Sequence, residues 1–259
     1  MTGTGTTHDD FGQGPVVVLL HGYPFDRSMW REQTEVLRAN GFRVIAPDLP
    51  GLGDKVPAQV STMPEMARHV ARLMDDLNVD QAIICGLSMG GYVAFDFAHL
   101  FPQRLRGLVL AGTRAPADNE QERKGREQQV EKMLAEGMAG IAEATLPKLL
   151  APRTLTEKPD VVDRVRQMIV KSDPKGAAAA QRGMAARRDY TSDLSAIEVP
   201  TLIIVGRQDP IRPVTDAEFM HEQIRDSRLE IIEDAAHMTN MEQPETFNKA
   251  LQKFLELIH

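Results

Sequence analysis

Cysteine is nearly missing from this chain: its 259 residues hold only one, Cys85. A single thiol rules out an internal disulfide and a thiolate metal cluster. A basic surplus is missing as well. Thirty lysines and arginines stand against 37 aspartates and glutamates, for a formal charge of −7. That balance speaks against a nucleic-acid partner, which would want a concentrated basic face. Long apolar runs are also absent. The longest, VVVLL at 16–20, is strand-sized and far short of a membrane span. The polar opening MTGTGTTHDD lacks the charged-then-apolar pattern of an export signal, so a cytoplasmic protein is expected. There is no internal repeat. What is present is 42% hydrophobic and 26% charged residues, enough for a sizeable core in one large α/β domain.

Apolar runs without alternation mark strands buried on both faces. VVVLL (16–20) and QAIIC (81–85) read this way, and FRVIAPD (42–48), LRGLVLAG (105–112), TLIIVG (201–206) and LEIIED (229–234) are expected as further strands. Helices are expected from Asp26 to Ala39, from Ser61 or Thr62 to about Leu77, and from Met89 to about Phe101. Two more are expected from Val214 and from Pro244 to Ile258, with PGLGDKVPAQ (50–59) a loop. Strands alternating with helices imply a mostly parallel sheet with helices on both faces. The rhythm breaks between Thr113 and Val199, where helical segments are expected at 118–136, 138–150, 158–172 and 174–187. The expected division is a core of 1–112 and 200–259 with an inserted helical cap at 113–199. The charge run DNEQERKGREQQVEK reads as the solvated face of a helix.

The stretch IICGLSMGG runs from a buried strand into three glycines around Ser88. Strand, G-x-S-x-G and helix in that order form the context of a nucleophile elbow. The turn is so sharp that Gly86 and Gly90 must lack side chains, and Gly91 lets the helix pack close to the strand. Its effect is to expose a hydroxyl above a helix N-terminus, where the dipole favours developing negative charge. The pattern alone is weak, since three fixed positions recur by chance in roughly one such chain in ten. Its surroundings strengthen it.

A serine nucleophile needs a base, and the base needs an orienting acid. His237, in EDAAHMTNMEQP, follows the strand at 229–234 and so sits in a loop at the same sheet edge. Asp209 lies three residues past the strand at 201–206 and precedes the helix-breaking Pro210. Thr113 and Arg114 occupy the place where a substitute carboxylate could stand. Asp234, three residues from His237, is expected to shape the loop. His8 and His259 are near the termini, and His69, His99 and His221 lie in or near helices. Cys85 reads as a small core hydrophobe. Met63, Met89, Met184, Met238 and Met241 either line an adaptable acyl pocket or fill gaps in the core.

In their order along the chain, HGYP, DLPGLG, GLSMGG, GRQDP and AAHMTNMEQPETF resemble the α/β-hydrolase superfamily, in particular bacterial carboxylesterases and enol-lactone hydrolases with a helical cap. The resemblance implies an α/β-hydrolase fold and a catalytic set of Ser88, Asp209 and His237. It also implies an oxyanion hole from the backbone N–H groups of Tyr23 and Met89, with His21 supporting its loop. The chain departs from the family at its start. Only about fifteen residues precede the first buried strand, so the N-terminal strands are expected to be shortened.

The expected activity is that of a serine esterase acting on small to medium carboxylic esters or lactones through an acyl-enzyme, without metal or organic cofactor. An aspartate at the elbow would mark a dehalogenase or epoxide hydrolase, and Ser88 counts against both. C–C bond hydrolysis or perhydrolysis would use the same triad, and a ligand-binding protein could keep the same fold. Arg114 could meet an anionic substrate group, though a structural ion pair is the plainer reading. The chain is expected to act as a monomer or homodimer.

Overall fold

The computed structural model describes residues 7–53 and 61–258. Most of the expected 50–59 loop, the N-terminal hexapeptide and His259 lie outside these residues. The described chain begins with strands β1 (His8–Phe11) and β2 (Val16–Leu20), then helix α1 (Arg31–Ala39) and β3 (Arg43–Pro47). It continues through α2 (Met63–Asp76), β4 (Ala82–Leu87), α3 (Met89–Leu100) and β5 (Leu105–Ala111). Five helices follow: α4 (Glu120–Glu136), α5 (Ala139–Leu149), α6 (Pro152–Glu157), α7 (Pro159–Lys171) and α8 (Pro174–Ala185). The chain then forms β6 (Thr201–Gly206), α9 (Val214–Gln223), β7 (Ser227–Ile232), α10 (Thr239–Glu242) and α11 (Pro244–Leu255).

The seven strands form one sheet in the order β1-β3-β2-β4-β5-β6-β7, in which only β1 runs antiparallel. The apolar runs explain the centre. Every residue of β4 and β6 is buried, as are Val17 to Leu20 of β2. The β2-to-β3 crossover runs one way along the sheet, and every later crossover runs the other way. Right-handed crossovers of opposite direction lie on opposite faces. Accordingly α1 packs with α11, Trp30 reaching Phe247 at 6.0 Å, while α2 packs with α3. The reversal lies between β2 and β4, and a crevice opens there beyond the strand carboxyl ends. HGYP follows β2, and GLSMGG follows β4.

Three local departures from the sequence reading have physical causes. The segment expected as one helix at 26–39 opens as a 3₁₀ turn, Arg27–Trp30, capped where Asp26 Oδ1 accepts from Ser28 N at 2.8 Å. The last strand spans Ser227–Ile232, not 229–234, because pairing from Thr201↔Ser227 to Gly206↔Ile232 uses the whole of β6. The short α6 and α10 and the 3₁₀ turn Thr191–Ala196 were not evident from periodicity, being too brief to show one. At the start the shortened N-terminal edge is as expected: a single four-residue strand, β1, pairs with β3 and is tied to it where Arg43 grips Asp10 at 2.7 Å. Among the described residues no helix is long and apolar enough to cross a membrane.

Candidate active site

Ser88 adopts φ 56° and ψ −110°, the strained left-handed geometry of a residue squeezed between strand and helix. Its glycines are required by contact. A Cβ at Gly86 would lie 2.2 Å from the Gly90 carbonyl oxygen, and one at Gly90 would lie 2.2 Å from that of Leu20. At Gly91 it would meet the Thr113 hydroxyl at 2.5 Å, and that hydroxyl donates to the Ser88 carbonyl at 2.9 Å. Ser88 N donates to Ala111 O at 2.8 Å, which anchors the turn to β5.

Asp209 follows β6, two strands away in the sheet. Asp209 Oδ1 accepts from the N–H groups of Ile211 (2.8 Å) and Arg212 (2.9 Å), so the local turn sets the carboxylate's orientation. Its Oδ2 lies 2.7 Å from His237 Nδ1, and both side chains are buried. That contact occupies one ring nitrogen and directs Nε2 to the other side of the imidazole. Glycines make room here too: a Cβ at Gly112 would lie 3.4 Å from His237 Nδ1, and one at Gly206 only 2.0 Å from Ala236 O.

The His237 loop is held by the helical segment between β5 and β6. His237 N and Met238 N both donate to Leu149 O at 3.1 Å. The buried Glu242 carboxylate accepts from Ala236 N (2.7 Å) and Ala151 N (2.6 Å). Burial raises the Glu242 pKa, against the opposing pull of these donors.

Ser88 and His237 open into one cavity of about 350 Å³. Tyr23 and Pro24 line one side of it, and Ile141, Leu149, Met184 and Ile211 supply apolar wall. A Cβ at Gly22, beside Tyr23, would lie 3.3 Å from the carbonyl oxygen of Leu87, beside Ser88. The two turns are therefore in contact. Met89 opens α3 directly after the serine. Nearby His21 bridges loops: its Nδ1 contacts Gly22 O and its Nε2 accepts from Leu49 N, both at 2.9 Å.

The structure thus brings Ser88, Asp209, His237, Tyr23 and Met89 to one sheet edge. Asp234 does not approach the imidazole ring; its carboxylate pairs with Arg153 at 3.0 Å. Arg114 pairs with Asp118 (3.0 Å) and Glu122 (2.7 Å), the structural alternative. Of the five methionines, Met184 lines the cavity, while Met63, Met89, Met238 and Met241 are buried in the core. Cys85 is wholly buried, and burial pushes its thiol pKa up. His99 sits 3.3 Å from Asp193, and His221 contacts Ser227 at 2.8 Å.

The charge run needs correction. It is not simply a solvated face, because Arg126 and Gln129 of α4 line the cavity. They share the inward side with the buried Val130 and Met133, at helical spacing. Arg126 pairs with Asp118 and donates to Gln181 Oε1 at 2.7 Å. Arg212 and Tyr92 were also overlooked. Arg212 donates to the Tyr92 hydroxyl from Nε (3.1 Å) and Nη2 (2.5 Å), and Arg187 stacks on the Tyr92 ring at 4.1 Å. Burial opposes ionisation of Tyr92, yet Arg212, Arg187 and Arg126 outweigh it and hold the pKa below its usual value. A sequence signal existed for Tyr92, four residues past Ser88 and so on the same helical face. Among the described residues no cluster of His, Cys, Asp or Glu is suited to hold a metal.

Residues 15–244 match the model of the alpha/beta hydrolase fold family, and the chain belongs to that family. A 3-oxoadipate enol-lactonase of Acinetobacter baylyi is 30% identical over 249 residues, covering 95% of this chain and 91% of the relative. The malate-bound structure of a thermophilic esterase from Thermogutta terrifontis superimposes with TM-score 0.95. It is 41% identical, covering 100% of this chain and 97% of that one. An enol-lactonase from Burkholderia xenovorans gives TM-score 0.89 at 28% identity, covering 96% and 95%. These likenesses support ester or lactone hydrolysis of small molecules by this chain.

Proposed function

We propose that the protein is a serine hydrolase that cleaves carboxylic esters or lactones through an acyl-enzyme. The observation that carries the reading is the buried 2.7 Å contact of Asp209 with His237, in the wall of the cavity into which Ser88 opens. In this reading His237 Nε2 takes the Ser88 proton as the hydroxyl attacks the substrate carbonyl, and Asp209 steadies the imidazolium. The N–H groups of Tyr23 and Met89 stabilise the tetrahedral oxyanion, a contribution of about 3–4 kcal/mol per donor. His237 then returns the proton to the leaving alcohol. Water activated by the same imidazole attacks the acyl-enzyme and frees the acid.

Residues 113–199 act in this proposal as a cap over a core of 1–112 and 200–259. The volume of about 350 Å³ suits small to medium substrates. Labelling by a fluorophosphonate, with hydrolysis of a p-nitrophenyl ester beside it, tests the reading. A wild-type protein that takes up no label and turns over no ester contradicts it.

A further inference from the structure

β5 lies between β4, which delivers Ser88, and β6, which delivers Asp209, so a direct tie between those two ends has to come from a side chain. Arg212 supplies one. It is buried in the turn between β6 and α9 and reaches across to α3. Its Nε and Nη2 donate to the hydroxyl oxygen of Tyr92 at 3.1 and 2.5 Å, on the helix that opens directly after Ser88.

The remaining arm of the guanidinium turns back on its own loop. Nη1 donates to the Ile211 carbonyl at 2.5 Å. That carbonyl shares a peptide group with the Arg212 N–H, which donates to Asp209 Oδ1 at 2.9 Å. A trans peptide is planar, with its C=O and N–H pointing opposite ways, so fixing one end aims the other. A continuous line of contacts therefore runs from Tyr92 through the Arg212 side chain and backbone to Asp209, and on to His237 at 2.7 Å.

The far end of this line is fixed. Tyr92 is wholly buried, and Arg187 stacks on its ring at 4.1 Å. Arg187 is itself held by Asp118 at 2.6 Å and by the Pro116 carbonyl at 2.8 Å. Burying a guanidinium is costly, and an apolar side chain of similar size would fill the space without that cost. Asp216 feels the Arg212 charge, but the hydrogen bonds of the guanidinium go to neutral oxygens. A rigid planar fork that grips two separate oxygens at once explains the choice of arginine.

Resting on the hydrolase reading above, we propose that Arg212 is a positioning residue: its side chain, braced on Tyr92, sets the peptide that aims the Asp209 carboxylate at His237. Both Arg212 and Tyr92 border the cavity, yet the brace acts through Asp209 and not on the substrate. It couples the turn that carries the acid to the helix that opens at the nucleophile. A displacement of about 1 Å in a group of this kind costs about a hundredfold in rate.

The test is a cycle of Tyr92→Phe and Arg212→Gln, alone and together, each made in the wild type and in Asp209→Asn, with kcat and KM measured on a p-nitrophenyl ester. In the wild-type background each single change should lower kcat by about tenfold to a hundredfold and move KM by less than about twofold. The pair should lose no more than the worse single change, since either one breaks the same link. In Asp209→Asn, where the carboxylate is gone, either change should cost less than about threefold. Equal fold losses in both backgrounds, a loss carried by KM, or no loss in either variant overturns the proposal. Tyr92→Phe removes a single oxygen, so it keeps the test open if Arg212→Gln fails to fold. If the wild type cleaves no ester, the hydrolase reading has failed, and proton NMR with isotope-labelled histidine decides this one through the His237 Nδ1 proton. Its downfield resonance should weaken or move upfield in folded Tyr92→Phe, and a resonance unchanged in that variant overturns the proposal.

Discussion

Asp209 and His237 stand 28 residues apart in the chain and 2.7 Å apart in space, carboxylate Oδ2 to imidazole Nδ1, with both side chains buried. Backbone N–H groups of Ile211 and Arg212 hold the other carboxylate oxygen. The Asp209 carboxylate is thus oriented by the fold itself, and Asp234, facing Arg153, takes no part in this contact.

Asp209→Asn should therefore slow turnover by about three to four orders of magnitude with little change in KM, because the amide favours the wrong imidazole tautomer. Asp234→Asn should cost about tenfold or less, acting only through the loop. Steady-state kinetics of the two variants side by side check this. A larger loss in folded Asp234→Asn than in Asp209→Asn would contradict the assignment of the acid.

The elbow glycines make a stability prediction. A methyl group at position 90 would meet the Leu20 carbonyl oxygen at 2.2 Å, and backbone on both sides leaves little room to yield. Gly90→Ala should destabilise the fold by more than about 3 kcal/mol. Urea unfolding measures it. Gly125→Ala, with open space around its Cβ on α4, is the control and should be neutral or stabilising.

Asp118 makes a pH prediction. Its carboxylate is almost wholly buried among Arg114, Arg126 and Arg187. Burial alone would raise its pKa, but hydrogen bonds and charge from Arg126 and Arg187 bring it down to about 2. A pKa depressed in the folded state gives stability that is present above the unfolded value near 4 and is lost as pH falls through about 2. The shift corresponds to about 2 kcal/mol. Asp118→Asn should lower stability at pH 7 by at least that much, since it leaves buried guanidinium charge uncompensated. The gap to wild type should narrow between about pH 4 and pH 2. Denaturant midpoints across that range test the sign.

Glu242 joins the His237 loop to the start of α6 through Ala236 N and Ala151 N. Glu242→Gln sets an amide against two donors that each need an acceptor, and it should reduce both stability and turnover, the latter by about tenfold. Parallel melting curves and kcat values check whether the two fall together.

Several of these residues were legible in the sequence and others were not, for physical reasons. β2, β4 and β6 are apolar throughout because both their faces are covered, so a continuous run sufficed to find them. Ser88, Asp209 and His237 each follow a strand end, which places them at one sheet edge from the sequence alone. Arg126 stayed hidden because α4 is polar or charged over most of its length. Its inward face shows only as Val130 and Met133, and that face becomes a wall only when α4 packs against α8. The anchoring of the His237 loop by Leu149 was equally invisible, since backbone bonds of this kind leave no mark on residue type. The register of β7 is set by its partner β6, not by its own composition.

The most direct test of the central claim is fluorophosphonate labelling of wild type and Ser88→Ala, with intact-mass detection and a melting curve for each. The account predicts one adduct on the wild type, mapped to Ser88, and none on a folded Ser88→Ala protein. It also predicts that ester turnover falls by several orders of magnitude in that variant. A folded Ser88→Ala protein that still took up the label, or still turned over ester at the wild-type rate, would contradict the account at its centre.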